Sequence, residues 1–274
     1  MANQTQELSI RNKYVFAEVM RNKEICKGFL QRVLPEISIG ELVYIESEKT
    51  IDAAPDSHGI RVDVYAEDGD HIYDIEMQVR NEGDLPWRSR YGAALLDEMS
   101  LDRGREYTSL RESFVIFLCL FDPFGRDRRK YTFRNFCEEE QDLPLADGVT
   151  RIFLNTKGTR GEIPRQLQNF LDYVDGNAPL DGFMKDVDKA VHRAGAKKET
   201  RAMIAKWEIE RNSELGYARR EGLEKGLAEG IEQGKEQERR NTEKERKRAE
   251  AAEQKLQELT RRIEALEEEL RRRS

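Results

Sequence analysis

The sequence of 274 residues predicts a mixed α/β domain followed by a helical tail that ends in a short coiled coil. Three observations support this fold class. Residues 59–80 alternate between apolar and polar side chains, residues 114–121 are continuously apolar, and residues 249–270 carry an apolar heptad pattern among alternating charges. Alternation and short apolar runs are typical of strands, whereas steps of three and four residues are typical of helices.

The first elements are a helix and a strand. Pro35 is expected to end the helix because proline cannot continue helical hydrogen bonding. Residues 41–51 predict a strand, and residues 52–59 predict a loop rich in Asp, Ala, Pro, Ser and Gly. The helix is predicted over residues 14–34 by the spacing of Val15, Val19, Ile25, Phe29, Leu30 and Val33.

A β-hairpin and a buried strand follow. The alternating residues 59–80 lie on both sides of Asp68-Gly69, a dipeptide that strongly favours a two-residue hairpin turn. A helix is predicted over 86–103, opened by Pro86, and the apolar run 114–121 predicts a central buried strand. Shorter strands are predicted at 131–136 and 149–155, and residues 166–211 predict helices interrupted at 176–179.

The tail contains two repeating patterns. Glycines recur every four residues at 222, 226, 230 and 234, which is consistent either with a marginal, flexible helix or with close helix–helix contact in an oligomer. A heptad seam follows and predicts self-association as a short coiled coil, with an undetermined number of strands. We therefore divide the chain into a domain at 1–180, a helical extension at 181–215 and a tail at 216–274. The seam is formed by Ala249, Ala252, Leu256, Leu259, Ile263, Leu266 and Leu270.

Charge and composition exclude several classes of protein. Charged residues make up 37% of the chain, and residues 211–274 contain 17 Lys/Arg and 16 Asp/Glu, so the tail is not a basic nucleic-acid arm. The longest apolar run has 8 residues, too few to span a bilayer, and the first residues lack the apolar stretch of a signal peptide. Three widely spaced cysteines disfavour a disulfide framework. We therefore expect a cytoplasmic protein that does not bind a membrane.

The hairpin concentrates carboxylates on one face. A turn at Asp68-Gly69 would place Asp63 opposite Asp74 and Arg61 opposite Glu76. Like charges on paired strands repel each other, and Arg61 can offset one of them. Two explanations remain open: the face is exposed to solvent, or it binds a hard divalent cation such as Mg²⁺. Alternation directs one set of side chains to this face: Arg61, Asp63, Asp74, Glu76 and Gln78.

The run R-V-D-V-Y-A-E-D-G-D-H-I-Y-D-I-E-M-Q at residues 61–78 resembles the core of the PD-(D/E)XK nuclease superfamily. More narrowly, it resembles the Rpn-type recombination-promoting nucleases, or putative transposases. Arg88 and Tyr91 on the next helix also match this family, as do YVFAEV near the N-terminus and the repeated E-G-x-x units of the tail. The resemblance extends from about residue 12 to residue 160.

The resemblance implies a restriction-endonuclease-like core, with a mixed sheet flanked by helices, that cleaves DNA with Mg²⁺ or Mn²⁺. It implies that Asp63 and Glu76 bind the metal and act in catalysis with Gln78. From their residue types, Arg88 can contact a phosphate or pair with the acidic hairpin face, and Tyr91 can stack on a base or pack its helix onto the sheet. Gln78 stands where most of the superfamily has Lys, and a glutamine can only donate and accept hydrogen bonds.

DNA and a second copy of the chain are the expected partners. The alternative is a binding or scaffold module that keeps the nuclease fold without turnover and assembles partners through its coiled coil. Gln78 supports this alternative, and so does the net charge of −8 over residues 1–210, because nucleic-acid binders usually show a basic footprint.

Overall fold

The computed structural model of the chain describes residues 9–51 and 60–273. A mixed six-stranded sheet forms its centre. The strands are β1 (Tyr44–Ile51), β2 (Ile60–Glu67), β3 (His71–Gln78), β4 (Glu112–Cys119), β5 (Lys130–Phe133) and β6 (Val149–Asn155). Their order in the sheet is β1-β2-β3-β4-β6-β5; β3, β4 and β6 run parallel to one another, and the other neighbours are antiparallel.

Helices flank this sheet, which confirms the predicted α/β class. They are α1 (Lys13–Met20), α2 (Lys23–Val33), α3 (Leu85–Ser100), α4 (Arg165–Val174) and α5 (Gly182–Ala196). A further helix, α6 (Lys198–Arg273), contains the tail. The chain forms two compact units, residues 1–206 and 207–274; the division into three segments stays a prediction. No helix among the described residues is long and apolar enough to cross a membrane.

Helices pack directly on the hairpin formed by β2 and β3. Helix α1 packs against β1, β2 and β3, and α3 packs against β3 and β4. Gly92 of α3 lies against the carboxylate of Asp74. The face that was expected to carry the carboxylates is therefore the one beneath α3.

The prediction of a single helix over residues 14–34 is wrong, since two helices occupy this segment. Arg21 ends α1, and the Asn22 side chain caps α2 by accepting hydrogen bonds from the N–H groups of Glu24 and Ile25. Asn is among the preferred N-cap residues because its short side-chain oxygen satisfies these donors. The apolar spacing continues across the break, so it did not reveal the interruption.

The predicted register of the hairpin is also wrong. The two central residues of the turn are Gly69 and Asp70, because Asp68 pairs with His71. The N–H of Asp68 donates to the carbonyl oxygen of His71 at 3.2 Å. The Oδ1 atom of Asp68 accepts from the N–H groups of Asp70 (2.9 Å) and His71 (2.7 Å), which holds Asp68 at the first turn position.

This shift moves every cross-strand pair by two residues. Asp74 therefore lies opposite Tyr65 and not opposite Asp63. The alternation of side chains does not change with a shift of two, so the predicted common face survives.

The remaining strand predictions are confirmed. The apolar run forms β4, which lies between β3 and β6 and is buried from Ser113 to Cys119. Strand β6 matches its predicted bounds, β5 is shorter than predicted, and α3 ends at Ser100 before the predicted 103. The predicted loop 52–59 lies outside the described residues. Because β3, β4 and β6 are parallel and in register, Gln78, Cys119 and Asn155 end their strands side by side.

Candidate active site

Polar side chains of the hairpin form a buried cluster beneath α3. Asp63 comes from β2, and Asp74, Glu76 and Gln78 come from β3. Their exposed fractions are 8%, 2%, 3% and 8%, respectively. Asp and Glu are almost never buried to this degree without a compensating partner. The explanation that this face is simply exposed to solvent is therefore wrong.

Two of these carboxylates bind the backbone of the opposite strand. The N–H of Asp63 donates to Glu76 Oε1 at 3.1 Å, and the N–H of Met77 donates to Asp63 Oδ2 at 2.9 Å. The regular pairing of β2 and β3 reaches Val64 and Ile75, so these side chains satisfy N–H groups just beyond the ladder. This exchange holds Asp63 and Glu76 next to each other in defined orientations.

Arg88 places a positive charge beside the cluster from the first turn of α3. Its Nη2 donates to Glu76 Oε2 at 3.2 Å, and its Nη1 donates to Gln78 Oε1 at 3.1 Å. The Nε2 of Gln78 donates to the same Glu76 Oε2 at 3.3 Å. Arg88, Gln78 and Glu76 thus form a closed triangle of hydrogen bonds, and the Arg88 side chain remains 33% exposed at its outer side.

Asp74 is the least satisfied member of the cluster. Its Oδ1 is buried and has no hydrogen-bond partner. Helix α3 passes directly over it at Gly92, where an added Cβ would lie 3.2 Å from Asp74 Oδ2. A buried polar atom without a partner is costly, so it marks either strain or a function. Gly92 was not predicted as a site residue, and a glycine in the interior of a predicted helix was the available signal.

The electrostatics of the cluster favour protonation. Burial and the neighbouring charge of Asp63 raise the pKa of Asp74 to about 7, although Arg88 opposes this shift. Burial, Asp63 and Asp74 also raise the pKa of Glu76 well above its ordinary value. Arg88 therefore does not offset burial and mutual repulsion at Asp74 and Glu76, and both carboxyl groups tend to keep their protons near neutral pH.

The donor set fits a divalent cation held by two carboxylates. No group of three or more His, Cys, Asp and Glu side chains in the described parts of the chain is arranged to hold a metal ion. Mg²⁺ does not require such a group, because it commonly binds one or two carboxylates and completes its shell with water and phosphate oxygens. The hydrogen-bonded pair of Asp63 and Glu76, with excess negative charge, meets this requirement.

The structure brings most of the predicted site residues together. Asp63, Glu76, Gln78 and Arg88 form one connected group. Tyr91 is partly buried and packs against the apolar core cluster beneath α3. The side chain of Arg61, which was expected to offset one carboxylate, lies outside the described residues. Trp87, one residue before Arg88, is 62% exposed.

Comparison with known families decides the classification of the chain. The model of the PD-(D/E)XK nuclease family transposases matches residues 12–170, which is more than half of the chain. The chain belongs to this family. No curated protein and no solved structure matches it. Family membership confirms the resemblance seen in residues 61–78, and PD-(D/E)XK nucleases generally use divalent metals.

Proposed function

We propose that this PD-(D/E)XK family protein is an endodeoxyribonuclease that requires Mg²⁺ or Mn²⁺, with Asp63 and Glu76 as the metal-binding pair. One observation carries the proposal: three carboxylates are buried together on one sheet face, and Arg88 pairs with one of them, Glu76. A solvated surface or an ordinary core does not require this arrangement. The family match supports nuclease chemistry at this position.

A bound divalent cation would lower the pKa of a water molecule and polarise the scissile phosphate. The chain itself supplies the fixed carboxylates. Because backbone N–H groups hold Asp63 and Glu76, these side chains need little rearrangement before they act. Asp74 adds negative charge behind them, which strengthens the attraction of the site for a cation.

Arg88 can supply the positive charge that is missing at Gln78, where most of the superfamily has a lysine. Glutamine carries no charge, but Arg88 donates hydrogen bonds to both Gln78 and Glu76 and brings a guanidinium to the site. We assign to Arg88 the stabilisation of negative charge on the phosphate, and to Gln78 the positioning of that guanidinium. Arg88 would thus also be the predicted nucleic-acid contact, and the exposed part of Tyr91, one helical turn further, would be the second.

Plasmid nicking tests the proposal. Purified wild-type protein is incubated with supercoiled DNA and Mg²⁺, Mn²⁺ or EDTA, beside Asp63→Asn and Glu76→Gln. Asp70→Asn is the matched control, because Asp70 is an exposed carboxylate on the same hairpin. We expect metal-dependent nicking by the wild type and the control, and a loss of about a hundredfold or more in the two site variants.

Equal nicking by the wild type and both site variants would show that the activity is not at this site. Melting temperatures of all the variants, measured without metal, establish that they remain folded.

The alternative function is a nuclease-fold scaffold without turnover. Gln78 in place of Lys favours it, as does the net charge of −8 over residues 1–210. A thermal shift with Mg²⁺ separates the two functions, because a ligand that binds only the folded state raises the melting temperature by mass action. An active metal site predicts a rise that Asp63→Asn abolishes and Asp70→Asn leaves intact. No rise in any variant would support the scaffold.

We also propose that the tail joins copies of the chain. Helix α6 continues through all four glycines, and a Cβ added at any of them would meet no atom within 4 Å. Three large apolar side chains of the seam are described and exposed: Leu256 at 66%, Leu259 at 51% and Ile263 at 56%. A second copy would bury this stripe.

All three cysteines are free, and we propose a reducing cytoplasmic location on that basis.

A further inference from the structure

Two loops extend the candidate active site along one edge of the sheet. Residues 120–129 follow β4, and residues 156–163 follow β6. Gln78, Cys119 and Asn155 end adjacent parallel strands, and the N–H of Leu120 donates to the carbonyl oxygen of Gln78 at 2.9 Å. Neighbouring strands are about 4.8 Å apart, so the second loop begins about 10 Å from Gln78. Both loops therefore lie at the same edge as the carboxylate cluster.

The two loops are locked to each other. Arg128 and Arg160 form an isolated parallel bridge, and the N–H of Arg129 donates to the carbonyl oxygen of Arg160 at 2.9 Å. Asp127 adopts a positive φ of 57° and accepts from both the N–H and the hydroxyl of Thr159. Gly158 allows this approach, since an added Cβ would lie 2.6 Å from the backbone of Arg128.

This locking places like charges side by side. Arg128 and Arg160 are both exposed and are direct partners in the bridge, with Arg126 two residues away. Like charges on directly opposed residues are destabilising. Their repulsion is not relieved internally: none of the three forms an ion pair with any described carboxylate, and the Nη1 of Arg160 reaches only the carbonyl oxygen of Arg126.

The other charged groups of these loops are already engaged. Arg129 pairs with Asp172, and Lys157 pairs with Asp175. Asp122 accepts from the Tyr131 hydroxyl at 2.7 Å and from the N–H groups of Phe124 and Asp127. Asp127 is bound by Thr159, as described above. Within the two loops, Glu162 is the one remaining exposed carboxylate against the three arginines.

We propose that Arg126, Arg128 and Arg160 form a phosphate-binding surface that holds the DNA backbone beside the carboxylate cluster. This inference rests on the proposed nuclease function and adds a substrate contact to it. Three exposed guanidiniums on rigid loops match a polyanion, because arginine binds phosphate oxygens through a planar fork of donors. The separation from the cluster, on the order of 10–15 Å, corresponds to about three or four nucleotides along one strand.

DNA binding measured apart from cleavage tests the inference. Fluorescence anisotropy with a labelled 24-base-pair duplex is recorded in EDTA and in Ca²⁺, over a series of salt concentrations. The test variant carries Arg128→Gln and Arg160→Gln together. The matched control carries Arg103→Gln and Arg105→Gln, which remove the same charge from exposed arginines in the loop that precedes β4, away from this edge.

We expect the affinity of the test variant for the duplex to fall about tenfold per arginine at 0.1 M salt. The slope of the logarithm of the binding constant against the logarithm of the salt concentration should fall in magnitude by about two. The control is expected to bind like the wild type. Melting temperatures near that of the wild type show that both double variants fold.

Two results would overturn the inference. One is equal binding by the wild type, the test variant and the control; the other is wild-type protein that does not bind the duplex in EDTA or Ca²⁺. Binding that depends on Arg128 and Arg160, together with no nicking in any metal, would refute the nuclease function and leave the phosphate surface standing. Nicking that is lost in Asp63→Asn, together with equal DNA binding by the wild type and the arginine variant, would refute the phosphate surface and leave the nuclease function standing.

Discussion

Asp68 and Asp74 lie on the same hairpin and are both buried, yet the pKa of Asp68 is lowered and that of Asp74 is raised. The oxygens of Asp68 accept from the N–H groups of Gly40, Asp70 and His71 and from the Tyr73 hydroxyl. Burial alone would raise the pKa of Asp68, but its hydrogen bonds lower it to about 2. Asp74 lacks a partner at Oδ1, and its pKa rises to about 7. The first carboxylate holds the turn, whereas the second keeps an unsatisfied oxygen beside Asp63 and Glu76.

The pKa of Asp68 leads to a prediction about stability. A depressed folded pKa contributes stability that is complete above the ordinary carboxyl pKa of about 3.9 and is lost as the pH falls through the folded value of about 2. We expect Asp68→Asn to lower the free energy of unfolding at neutral pH by about 1–3 kcal/mol, because buried N–H groups lose a charged acceptor.

Urea unfolding measured from pH 7 down to pH 2 checks this prediction. The difference between the wild type and Asp68→Asn should be constant down to about pH 4 and should shrink below it. Asp70→Asn serves as the control and should show no such change, since Asp70 contributes only its N–H to the turn. A difference that stays constant down to pH 2 would contradict the low pKa.

At the scale of elements, helix α3 covers the charged face of the hairpin and adds an arginine to it. Gly92 lets the helix pass close to Asp74, and Arg88 in its first turn reaches Glu76 and Gln78. The parallel strands β3, β4 and β6 bring their following segments to one edge. The carboxylates proposed to be catalytic and the arginines proposed to bind phosphate therefore lie at the same edge, although they are far apart in sequence.

The packing of the two basic loops depends on Gly158. An added Cβ would lie 2.6 Å from the backbone of Arg128, which cannot move without breaking the bridge to Arg160. We expect Gly158→Ala to lower the free energy of unfolding by about 1–3 kcal/mol through overpacking. Gly182→Ala, where a Cβ meets nothing within 4 Å, should stay within about 0.5 kcal/mol of the wild type. Chemical denaturation of both variants checks the prediction, and equal stabilities would contradict it.

At the scale of the whole molecule, the described part of the second unit is a single helix. Isolated helices are marginal in water unless an apolar face is covered. We expect Leu256→Ser with Leu259→Ser and Ile263→Ser to reduce the mass in solution from a multiple of 31.9 kDa to the monomer value. Light scattering after gel filtration measures this change. Gln254→Ser with Gln257→Ser, outside the seam, should leave the mass unchanged, and a monomeric wild type would refute self-association.

Local periodicity in the sequence was enough to predict much of the fold. Alternation placed Asp63, Asp74, Glu76 and Gln78 on one face, the apolar run predicted β4 as a central strand, and the heptads predicted a helical tail, whose coiled coil stays a prediction. These features are predictable because they depend on the spacing of neighbouring residues, which the backbone geometry of strands and helices repeats. The prediction of nuclease chemistry came from the family motifs in residues 61–78, because periodicity alone does not indicate a reaction.

The tertiary structure decided what covers each face and which distant residues meet. The side chain of Asp68, by capping its own turn, set the hairpin register, and Asn22 interrupted the first helix. The burial of the carboxylates depended on α3, and the meeting of Arg128 with Arg160 depended on two loops joined through Gly158. Burial and loop contacts are produced by residues far apart along the chain. The sequence alone therefore determined which side chains share a face, and the fold determined that this face became a charged, buried site.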